Sequence, residues 1–422
     1  MINIKNYINL KYNPTKNDLI AEYYLEPNKI SLPEAATNIA GESSIDSWSD
    51  LKTLSSRIVR QLRPNVFSIN KKTKIIKIAY PQELFEQGNM PQILSSIAGN
   101  IFGIKLAKNL RLLDLSFPKK LASSFQGPYL GIQGIRNLTK VKNRFFIGTI
   151  IKPKLGLSPK QHADLAYKCW LNGLDVVKDD ENLSSMQFNN FYERIKLTVQ
   201  AKFKAEDKTG EKKLYMPNTT SESREMIKRA EYVKKQGNEF AMIDILTAGF
   251  SALQTLRESN LKLGIHAHRA MHAAFTKNPK HGISMRVIGE ISRLIGVDTL
   301  HIGAFGKMTG TKNEILNTEI EIESDFIPAK ADILEQDWHG KKPVLAVASG
   351  GLYPALLEKI YPKMGNNVLY QFGAGVHAHR HGTEAGARAV RQAAEAIMNH
   401  TPLKTHAKKH KELAVALHQW RG

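Results

Sequence analysis

One pattern repeats from residue 145 onward: a short run of β-forming apolar residues followed by a stretch with helical periodicity. The apolar runs are 145–153, 174–180, 213–219, 240–246, 263–269, 299–305, 344–351 and 367–375. Such alternation predicts parallel strands joined by right-handed helical crossovers. Eight units over roughly 270 residues match a (β/α)8 TIM barrel in both count and size.

The residues that could bind a ligand or take part in catalysis lie mostly at the C-terminal end of each run. They are Lys152, Lys154, Lys178, Asp180, Glu181, Asn218, His266, His268, Arg269, His301, Ser349 and the turn 373–375. A TIM barrel places its active site at that rim, because the loops there surround one shared mouth. An open, doubly wound sheet would gather such groups at a single switch point instead. The distribution therefore favours a barrel enzyme of the α/β class.

The segment before the barrel predicts a small α+β domain of the ferredoxin-like kind. Its predicted strands are 17–27, 57–71 and 74–81, and its predicted helices are 34–43 and 90–103. The glycines and the proline of 125–139 suit a domain boundary. We therefore expect an N-terminal domain over 1–125 and a catalytic barrel over 126–422.

The net charge is the most unusual feature of the composition: 60 basic and 39 acidic residues give +21. This balance favours anionic partners. The lysines are scattered, however, and the denser patches 71–77 and 406–411 are not interleaved with aromatic residues, which argues against nucleic-acid binding.

The chain also predicts a cytoplasmic protein that does not cross a membrane. No segment approaches the run of about 18 apolar residues that a membrane span needs. The N-terminus lacks the regions of a signal peptide, and the single cysteine, Cys169, fits a reducing compartment.

GLDVVKDDEN (173–182) delivers one lysine into a group of carboxylates. On a strand, Lys178 and Asp180 point the same way, into the barrel mouth, and Glu181 begins the loop beyond. One interpretation is a salt bridge between Lys178 and Asp180 at the rim. The other is a Mg²⁺ site, because two carboxylates supply the oxygen ligands that Mg²⁺ prefers. In that case a carbamate formed from the lysine amine and CO₂ would be a third oxygen ligand.

Three further motifs indicate a phosphorylated substrate. Lys152 and Lys154 alternate at the end of the first strand, where two inward cations need an anion or a reacting oxygen. GIHAHRAMHA (264–273) combines histidines with Arg269, which suits phosphate and proton transfer better than a cation. VASGG (347–351) and FGAG (372–375) are small-residue turns that let main-chain N–H groups approach a phosphate.

HIGAFGKMTG (301–310) has the composition of a mobile lid that carries one cation, Lys307. An ordinary glycine-rich loop is the alternative interpretation.

Together these motifs resemble the large subunit of ribulose-1,5-bisphosphate carboxylase/oxygenase. GTIIKPKLGLS, GLDVVKDDEN, HAHRAMHA and VASGG are similar to the signature blocks of that family, and AGESSIDSW and SSIAGNIFG are similar to its N-terminal domain. The chain length and the residues of these motifs resemble the archaeal, form III-like branch more than the plant type.

The resemblance implies a role for each matching residue of the reaction centre. Lys178 would carry the carbamate, with Asp180 and Glu181 completing a Mg²⁺ site. Lys152 would assist enolisation and protonate the product. His268 would be a proton-transfer group. Lys154 would support Lys152, and Lys307 would be the cation that positions CO₂.

The resemblance also implies the groups that bind the substrate. Arg269 and His301 would hold one phosphate. The residues that would bind a hydroxyl and the other phosphate are Ser349, Gly350, Gly351, Gly373 and Ala374. Four residues would come from the N-terminal domain of a second subunit, which makes a homodimer with shared active sites necessary: Glu42, Ser47, Trp48 and Asn100.

The sequence departs from the family pattern at three places. The lid is one residue shorter than usual and lacks the customary threonine, Ala374 stands where glycine is usual, and Arg380 stands where proline is usual. A methyl group at position 374 would strain a left-handed turn but not one with negative φ.

The function implied is carboxylation of ribulose 1,5-bisphosphate by CO₂, with O₂ competing for the same enediol, and the archaeal branch implies a role in AMP salvage. Assembly of dimers into larger rings, without a small subunit, is expected from the same resemblance. Two alternatives remain open at this stage: an enolase or isomerase on the same scaffold, and a basic binding protein that is not an enzyme.

Overall fold

The computed structural model describes residues 7–47, 51–305 and 310–420. They form two compact units, which are described separately. The first contains 1–127, 271–295 and 324–341, and the second contains 128–270, 296–323 and 342–422. The segments 271–295 and 324–341 thus group with the N-terminal residues, and a boundary near 125 remains a prediction.

The first unit is built on a sheet whose first four strands are antiparallel. Neighbours in this sheet are mostly not consecutive in the chain. Its strands are Asp18–Pro27, Asn65–Asn70, Ile75–Pro81, Ala107–Ser116, Gly282–Ile283, Phe326–Ile327 and Gln336–Asp337. Its helices are Leu32–Glu42, Ser56–Leu62, Met90–Ile97, Lys119–Ser123, Ala273–Thr276 and Met285–Ile295, with short 3₁₀ turns at Gln82–Leu84 and Asn100–Gly103. The first four strands lie in the order four, one, three, two, with antiparallel neighbours. This is the ferredoxin-like arrangement, and that prediction is confirmed.

The prediction of one strand over 57–71 is wrong in its first half. Residues Ser56–Leu62 form a helix, which Ser55 caps by accepting a hydrogen bond from the Ile58 N–H, and the strand begins only at Asn65. The strand Ala107–Ser116, which pairs with Asp18–Pro27, was not predicted.

The second unit contains the eight parallel strands that the sequence pattern predicts. In chain order, the first to eighth barrel strands are Phe146–Ile150, Val176–Lys178, Leu214–Met216, Phe240–Asp244, Gly264–His268, Thr299–His301, Leu345–Ser349 and Val368–Phe372. Each pairs in parallel with its neighbours, and the first pairs with the eighth. Hydrogen bonds from the Met242 and Thr219 N–H groups join the third and fourth strands, so the barrel is closed. The predicted α/β TIM barrel is confirmed.

The helices of this unit lie before the first barrel strand, between most consecutive strands and after the last strand. They are Gly131–Thr139, Pro159–Leu171, Phe191–Thr209, Ser223–Lys235, Phe250–Glu258, Lys312–Glu323, Leu357–Met364, Ala374–His377, Gly382–Met398, Leu403–His406 and Lys411–Gln419, with a 3₁₀ turn at Pro354–Leu356. Inward apolar side chains of alternating strand positions fill the barrel, among them Phe146, Val176, Leu214, Met242 and Val347. Ile132 and Ile135 of the first of these helices pack against that cluster. The barrel is therefore a filled core, and only its rim is available for a ligand.

Asp298 fastens the start of the sixth barrel strand to its surroundings. One carboxylate oxygen accepts hydrogen bonds from the N–H groups of Leu130 and Gly131, at 2.5 and 2.9 Å. The other accepts from Nη2 of Arg257 at 2.7 Å and from the Ile265 N–H at 2.8 Å. Asp298 is fully buried, so water cannot replace a lost partner.

We expect Asp298→Asn to lower the free energy of unfolding by about 3 kcal/mol, because Arg257 would keep its buried charge without a counter-charge. The change is measured as a shift in the urea midpoint at pH 7. Asp207→Asn, at an exposed position of the helix Phe191–Thr209, is the control and should shift stability by no more than about 0.5 kcal/mol. Equal shifts in both variants would contradict this role of Asp298.

Candidate active site at the barrel mouth

The second barrel strand directs its side chains alternately to the two sides of the barrel wall. Lys178 and Asp180 face the mouth, whereas Asp179 faces the surrounding helices and contacts Arg194 and His162. This is the alternation of a strand continued by one further residue. The prediction that Lys178 and Asp180 share a side is therefore supported by the contacts they make.

Asp179 holds this strand end in place. Its carboxylate accepts hydrogen bonds from Tyr215 Oη at 2.7 Å, from Arg194 Nε at 3.1 Å and from the Asn218 N–H at 3.0 Å. His162 Nε2 lies 3.0 Å from the same group. Burial alone would raise the pKa of Asp179, but Arg194 and His162 outweigh it and hold that pKa well below its usual range.

Asp180 and Glu181 lie beside the two lysines of the first strand end. Lys152 Nζ is 2.7 Å from Oδ2 of Asp180, and Lys154 Nζ is 3.2 Å from Oε1 of Glu181. Burial works to raise the pKa of Glu181, but positive charge at His268, Lys178 and Lys154 lowers it to about 2. Glu181 is therefore anionic at neutral pH, and the contacts of Lys152 and Lys154 join the first two strand ends into one cluster.

Lys178 is fully buried and does not form the salt bridge that spacing alone allows. Its Nζ donates to the main-chain oxygen of Asp179 at 2.8 Å and lies 3.7 Å from Sδ of Met242. Among the described residues, no carboxylate pairs with it, and Asp180 pairs with Lys152 instead. Burial lowers the pKa of Lys178, and the carboxylates Glu181 and Asp180 offset this only in part. The Lys178 amine therefore loses its proton more readily than a free lysine does.

His268 stands across the mouth from this cluster. Its Nε2 lies 3.8 Å from Oε2 of Glu181, and its Nδ1 lies 3.3 Å from Oδ1 of Asp244. The Ala270 N–H also donates to Nδ1, at 3.2 Å. Burial lowers the pKa of His268, so the ring is a neutral group beside two carboxylates. A neutral imidazole in this position can accept a proton from a substrate.

His266 and His301 form a continuous hydrogen-bonded row with two hydroxyl groups. His266 Nδ1 is 2.7 Å from Oγ1 of Thr299, and the Nε2 atoms of the two histidines are 3.0 Å apart. His301 Nδ1 is 2.7 Å from Oγ of Ser349. The sixth and seventh strand ends are therefore linked through His301 and Ser349.

Arg269 is nearly buried at the end of the fifth strand, and its guanidinium makes no hydrogen bond to another described residue. Burial lowers its pKa to about 10, with Glu314 acting in the opposite direction, so the group stays charged at neutral pH. A Cβ atom on Gly303, where φ is +105°, would lie only 2.6 Å from Nη2 of Arg269. Glycine at 303 thus gives the guanidinium its space beside the sixth strand end.

The turns after the seventh and eighth strands touch each other. A Cβ atom on Gly375 would meet the main-chain oxygen of Leu352 at 2.3 Å, and one on Gly373 would lie 3.5 Å from Cε of Lys152. Gly350 and Gly351 adopt φ of +114° and +78°, which favours glycine. Ala374 begins the helix Ala374–His377 and is not among the described residues with positive φ. The methyl group at 374 therefore causes no left-handed strain.

Not every predicted site residue can be placed. Lys307 and Trp48 lie outside the described residues. Glu42 and Ser47 line one pocket of the first unit, and Asn100 begins the 3₁₀ turn Asn100–Gly103. Their contribution to an active site remains a prediction.

Sequence reasoning missed three groups that shape the mouth: Asp179, Asp244 and Thr299. Asp244 had a usable signal, because it is a polar residue near the end of a predicted strand. Asp179 and Thr299 had none, because their partners lie on other elements and depend on the register between strands. His266, predicted only as one of three clustered histidines, proves to be the fully buried member.

Comparisons with known proteins agree with this geometry. The family model of the ribulose bisphosphate carboxylase large chain catalytic domain matches residues 131–420, and the model of its N-terminal domain matches residues 6–121. The chain belongs to this family. The predicted family, and with it the prediction of an enzyme, is confirmed.

Two similar relatives within the family come from archaea. The chain is 48% identical to the ribulose bisphosphate carboxylase of Methanosarcina mazei, with 99% of each chain covered. It is 47% identical to that of Methanocaldococcus jannaschii, covering 98% of this chain and 100% of the relative.

Two solved structures show the same fold over almost the full length. The dimeric archaeal Rubisco from Hyperthermus butylicus has a TM-score of 0.93 at 41% identity, with 99% of each chain covered. The octameric enzyme from Pyrococcus horikoshii has a TM-score of 0.91 at 42% identity, covering 99% of this chain and 96% of that one. Within the described residues, no helix has both the length and the apolar character needed to cross a membrane.

We expect Asp179→Asn to lower the free energy of unfolding by about 3–5 kcal/mol at pH 7, because Arg194 would remain buried and charged. The pKa of this carboxyl is lower in the folded than in the unfolded protein. Its contribution is therefore present above the unfolded value, about 3.9, and is lost as the pH falls toward the folded value.

The difference in urea midpoint between wild type and Asp179→Asn should stay constant from pH 8 to about pH 5 and shrink below about pH 4. Asp164→Asn, at an exposed position of the helix Pro159–Leu171, serves as the control and should match the wild type. A difference that grew on acidification would contradict the account.

Proposed function

We propose that this chain catalyses the carboxylation of D-ribulose 1,5-bisphosphate, in which one CO₂ and one water are consumed and two 3-phosphoglycerates are formed. The observation that carries the proposal is the buried, carboxylate-flanked amine of Lys178 at the mouth of a barrel of this family. Relatives that bear the name ribulose bisphosphate carboxylase match the chain over nearly its whole length.

Lys178 is suited to form a carbamate with CO₂. Only a neutral amine is a nucleophile, and burial lowers the pKa of Lys178, so the neutral form is more accessible than in a free lysine. The nitrogen forms a bond to the carbon of CO₂ and releases one proton. The product is an anionic carboxylate beside Asp180 and Glu181, in place of the lysine amine.

The side chains fit Mg²⁺ by the chemistry of their donor atoms. Asp180, Glu181 and the Lys178 carbamate would hold the ion, because all three are hard oxygen ligands. Lys152 and Lys154 now pair with these carboxylates, which shows that this side of the cluster accommodates positive charge. When bound, the ion supplies a fixed positive charge that stabilises the negative charge developing on the substrate oxygens.

Lys152 is the proton carrier of the proposed reaction. It lies between the Asp180 carboxylate and the turn at Gly373, at the centre of the cluster. From there its amine can hold a proton for the enolisation and deliver one to the product carbanion, with Lys154 supporting its charge state. His268, neutral and beside Glu181, is placed to exchange a second proton.

The opposite side of the mouth is suited to the two phosphates. Arg269 offers a charged guanidinium without a hydrogen-bonded partner among the described residues, and His301 is close to it. Ser349, Gly350 and Gly351, with Gly373 and Ala374, form the two touching turns that would receive a hydroxyl and the second phosphate. The contact of 2.7 Å between His301 and Ser349 links these two groups, which supports a single site for both phosphates.

A homodimer with shared active sites is part of the proposal. Glu42, Ser47, Trp48 and Asn100 would complete the partner subunit's site, and Lys307 would close over the substrate and position CO₂. The dimeric and octameric archaeal structures support a homo-oligomer. Neither a small subunit nor nucleic acid is part of this proposal.

O₂ competes with CO₂ for the enediol, because the same nucleophilic carbon is exposed to both gases. The bisphosphate derives from nucleoside monophosphates in a cytoplasmic salvage route, a point supported only by the likeness to the archaeal branch.

The direct test incubates the protein with Mg²⁺, ¹⁴C-bicarbonate and ribulose bisphosphate. We expect acid-stable label in 3-phosphoglycerate. Consumption of the bisphosphate without label would instead favour an enolase or isomerase of the same scaffold.

We expect Lys152→Ala to lower kcat/KM by about 10²- to 10⁴-fold, which is the usual contribution of a positioned proton-transfer group. Lys178→Ala should lose at least as much. Lys160→Ala, at an exposed helix position, is the control and should keep wild-type activity. Undiminished activity of Lys178→Ala would refute the assignment.

A further inference from the structure

Thr299, His266, His301 and Ser349 form a row of hydrogen bonds. The donors of this row can all point toward Ser349 or all point toward Thr299. The contact between the two Nε2 atoms, 3.0 Å long, holds one proton, so one ring donates and the other accepts. Burial lowers the pKa of both rings well below the usual value, and each therefore carries a single proton. The donor of the hydrogen bond at one end of the row therefore determines the donor at the other end.

In the first direction, every buried donor in the row has an acceptor. The Thr299 hydroxyl donates to Nδ1 of His266, and Nε2–H of His266 donates to His301. Nδ1–H of His301 then donates to Oγ of Ser349. The hydroxyl hydrogen of Ser349, a half-buried residue, is left to point into the mouth.

The reverse direction leaves a buried donor without an acceptor. Ser349 would donate to His301, His301 to His266, and His266 to Thr299. The hydroxyl hydrogen of Thr299 would then have no acceptor, because its oxygen contacts no described polar group other than His266. Thr299 is fully buried, so water cannot take that hydrogen, and an unmade hydrogen bond of this kind is unfavourable.

We propose that Thr299 and His266 are positioning residues that hold His301 as its Nδ1–H tautomer and thereby make the Ser349 hydroxyl a hydrogen-bond donor toward the substrate. This inference rests on the proposed function for the identity of the substrate, whereas the tautomer follows from the hydrogen bonds alone. Ser349 would donate to an oxygen of the bisphosphate. Thr299, which touches no substrate, would set the direction from the far end of the row.

The register of the barrel explains why the row exists. Thr299 lies opposite His266 in the pairing of the fifth and sixth strands, and His301 follows two residues after Thr299 on the same side. Ser349 follows Val347, the partner of His301 on the seventh strand, by two residues. Three neighbouring strands thus bring the four side chains into one inward-facing row.

The test compares Thr299→Val, which removes the hydroxyl but keeps the shape, with Thr299→Ser, which keeps the hydroxyl. Without the hydroxyl, Ser349 is free to donate to His301 instead of the substrate. We expect Thr299→Val to raise KM for ribulose bisphosphate by roughly 3- to 10-fold, the loss of one neutral hydrogen bond, with kcat changed less than about twofold. Thr299→Ser should retain the wild-type KM.

A double variant separates this coupling from a packing effect. Ser349→Ala should raise KM by a similar factor, and adding Thr299→Val to it should raise KM no further, because the second change acts only through Ser349. Full multiplication of the two effects, or a Thr299→Ser variant as impaired as Thr299→Val, would overturn the proposal.

The tautomer itself is measured by ¹⁵N NMR of the ring nitrogens in histidine-labelled protein, with the His301 signals assigned by loss in His301→Gln. The wild type should show a protonated Nδ1 on His301, and Thr299→Val should show both tautomers. A protonated Nε2 on wild-type His301 would overturn the inference. Because this measurement needs no turnover, it distinguishes a wrong tautomer from a wrong proposed function.

Discussion

The arrangement of the barrel mouth depends on the hydrogen bonds that the Asp179 carboxylate accepts. Tyr215, Arg194 and the Asn218 N–H hold this carboxylate on the helix side of the strand. With Asp179 fixed outward, the pleat directs Lys178 and Asp180 inward. Asn218 extends the same support by donating to the main-chain oxygen of Glu181 at 3.1 Å. Asp179 therefore places Asp180 and Glu181, the carboxylates that we propose as metal ligands.

The placement of Lys178 explains why a cation can lie among acids without forming a salt bridge. The nearby carboxylates raise its pKa, but the loss of water around a fully buried amine lowers it more. Lys152 and Lys154 already balance the charges of Asp180 and Glu181. A lowered pKa at Lys178 favours the proposed reaction of its amine with CO₂. The barrel mouth therefore combines an acidic side, suited to a metal, with a basic and glycine-rich side, suited to phosphates.

Much of this could be predicted from the sequence, because it depends on periodicity. Strand and helix periods predict the barrel, and the period of two places Lys178 and Asp180 on one side. The partners of Asp179 could not be predicted, because Arg194 and Tyr215 are distant in sequence and meet it only in the packed wall. The Thr299–His266 pair likewise depends on strand register, which sequence patterns do not report. The helix Ser56–Leu62 was mistaken for a strand because its apolar residues continue into Asn65–Asn70.

The claim on which the account depends most is that the buried amine of Lys178 reacts with CO₂. It is tested most directly by incubating the protein with Mg²⁺ and isotope-labelled CO₂, trapping carbamates with an alkylating oxonium salt, and locating the label by peptide mass spectrometry. The account predicts trapped label on Lys178 and none on the exposed Lys160. Label absent from Lys178 in a preparation that carboxylates ribulose bisphosphate would contradict it.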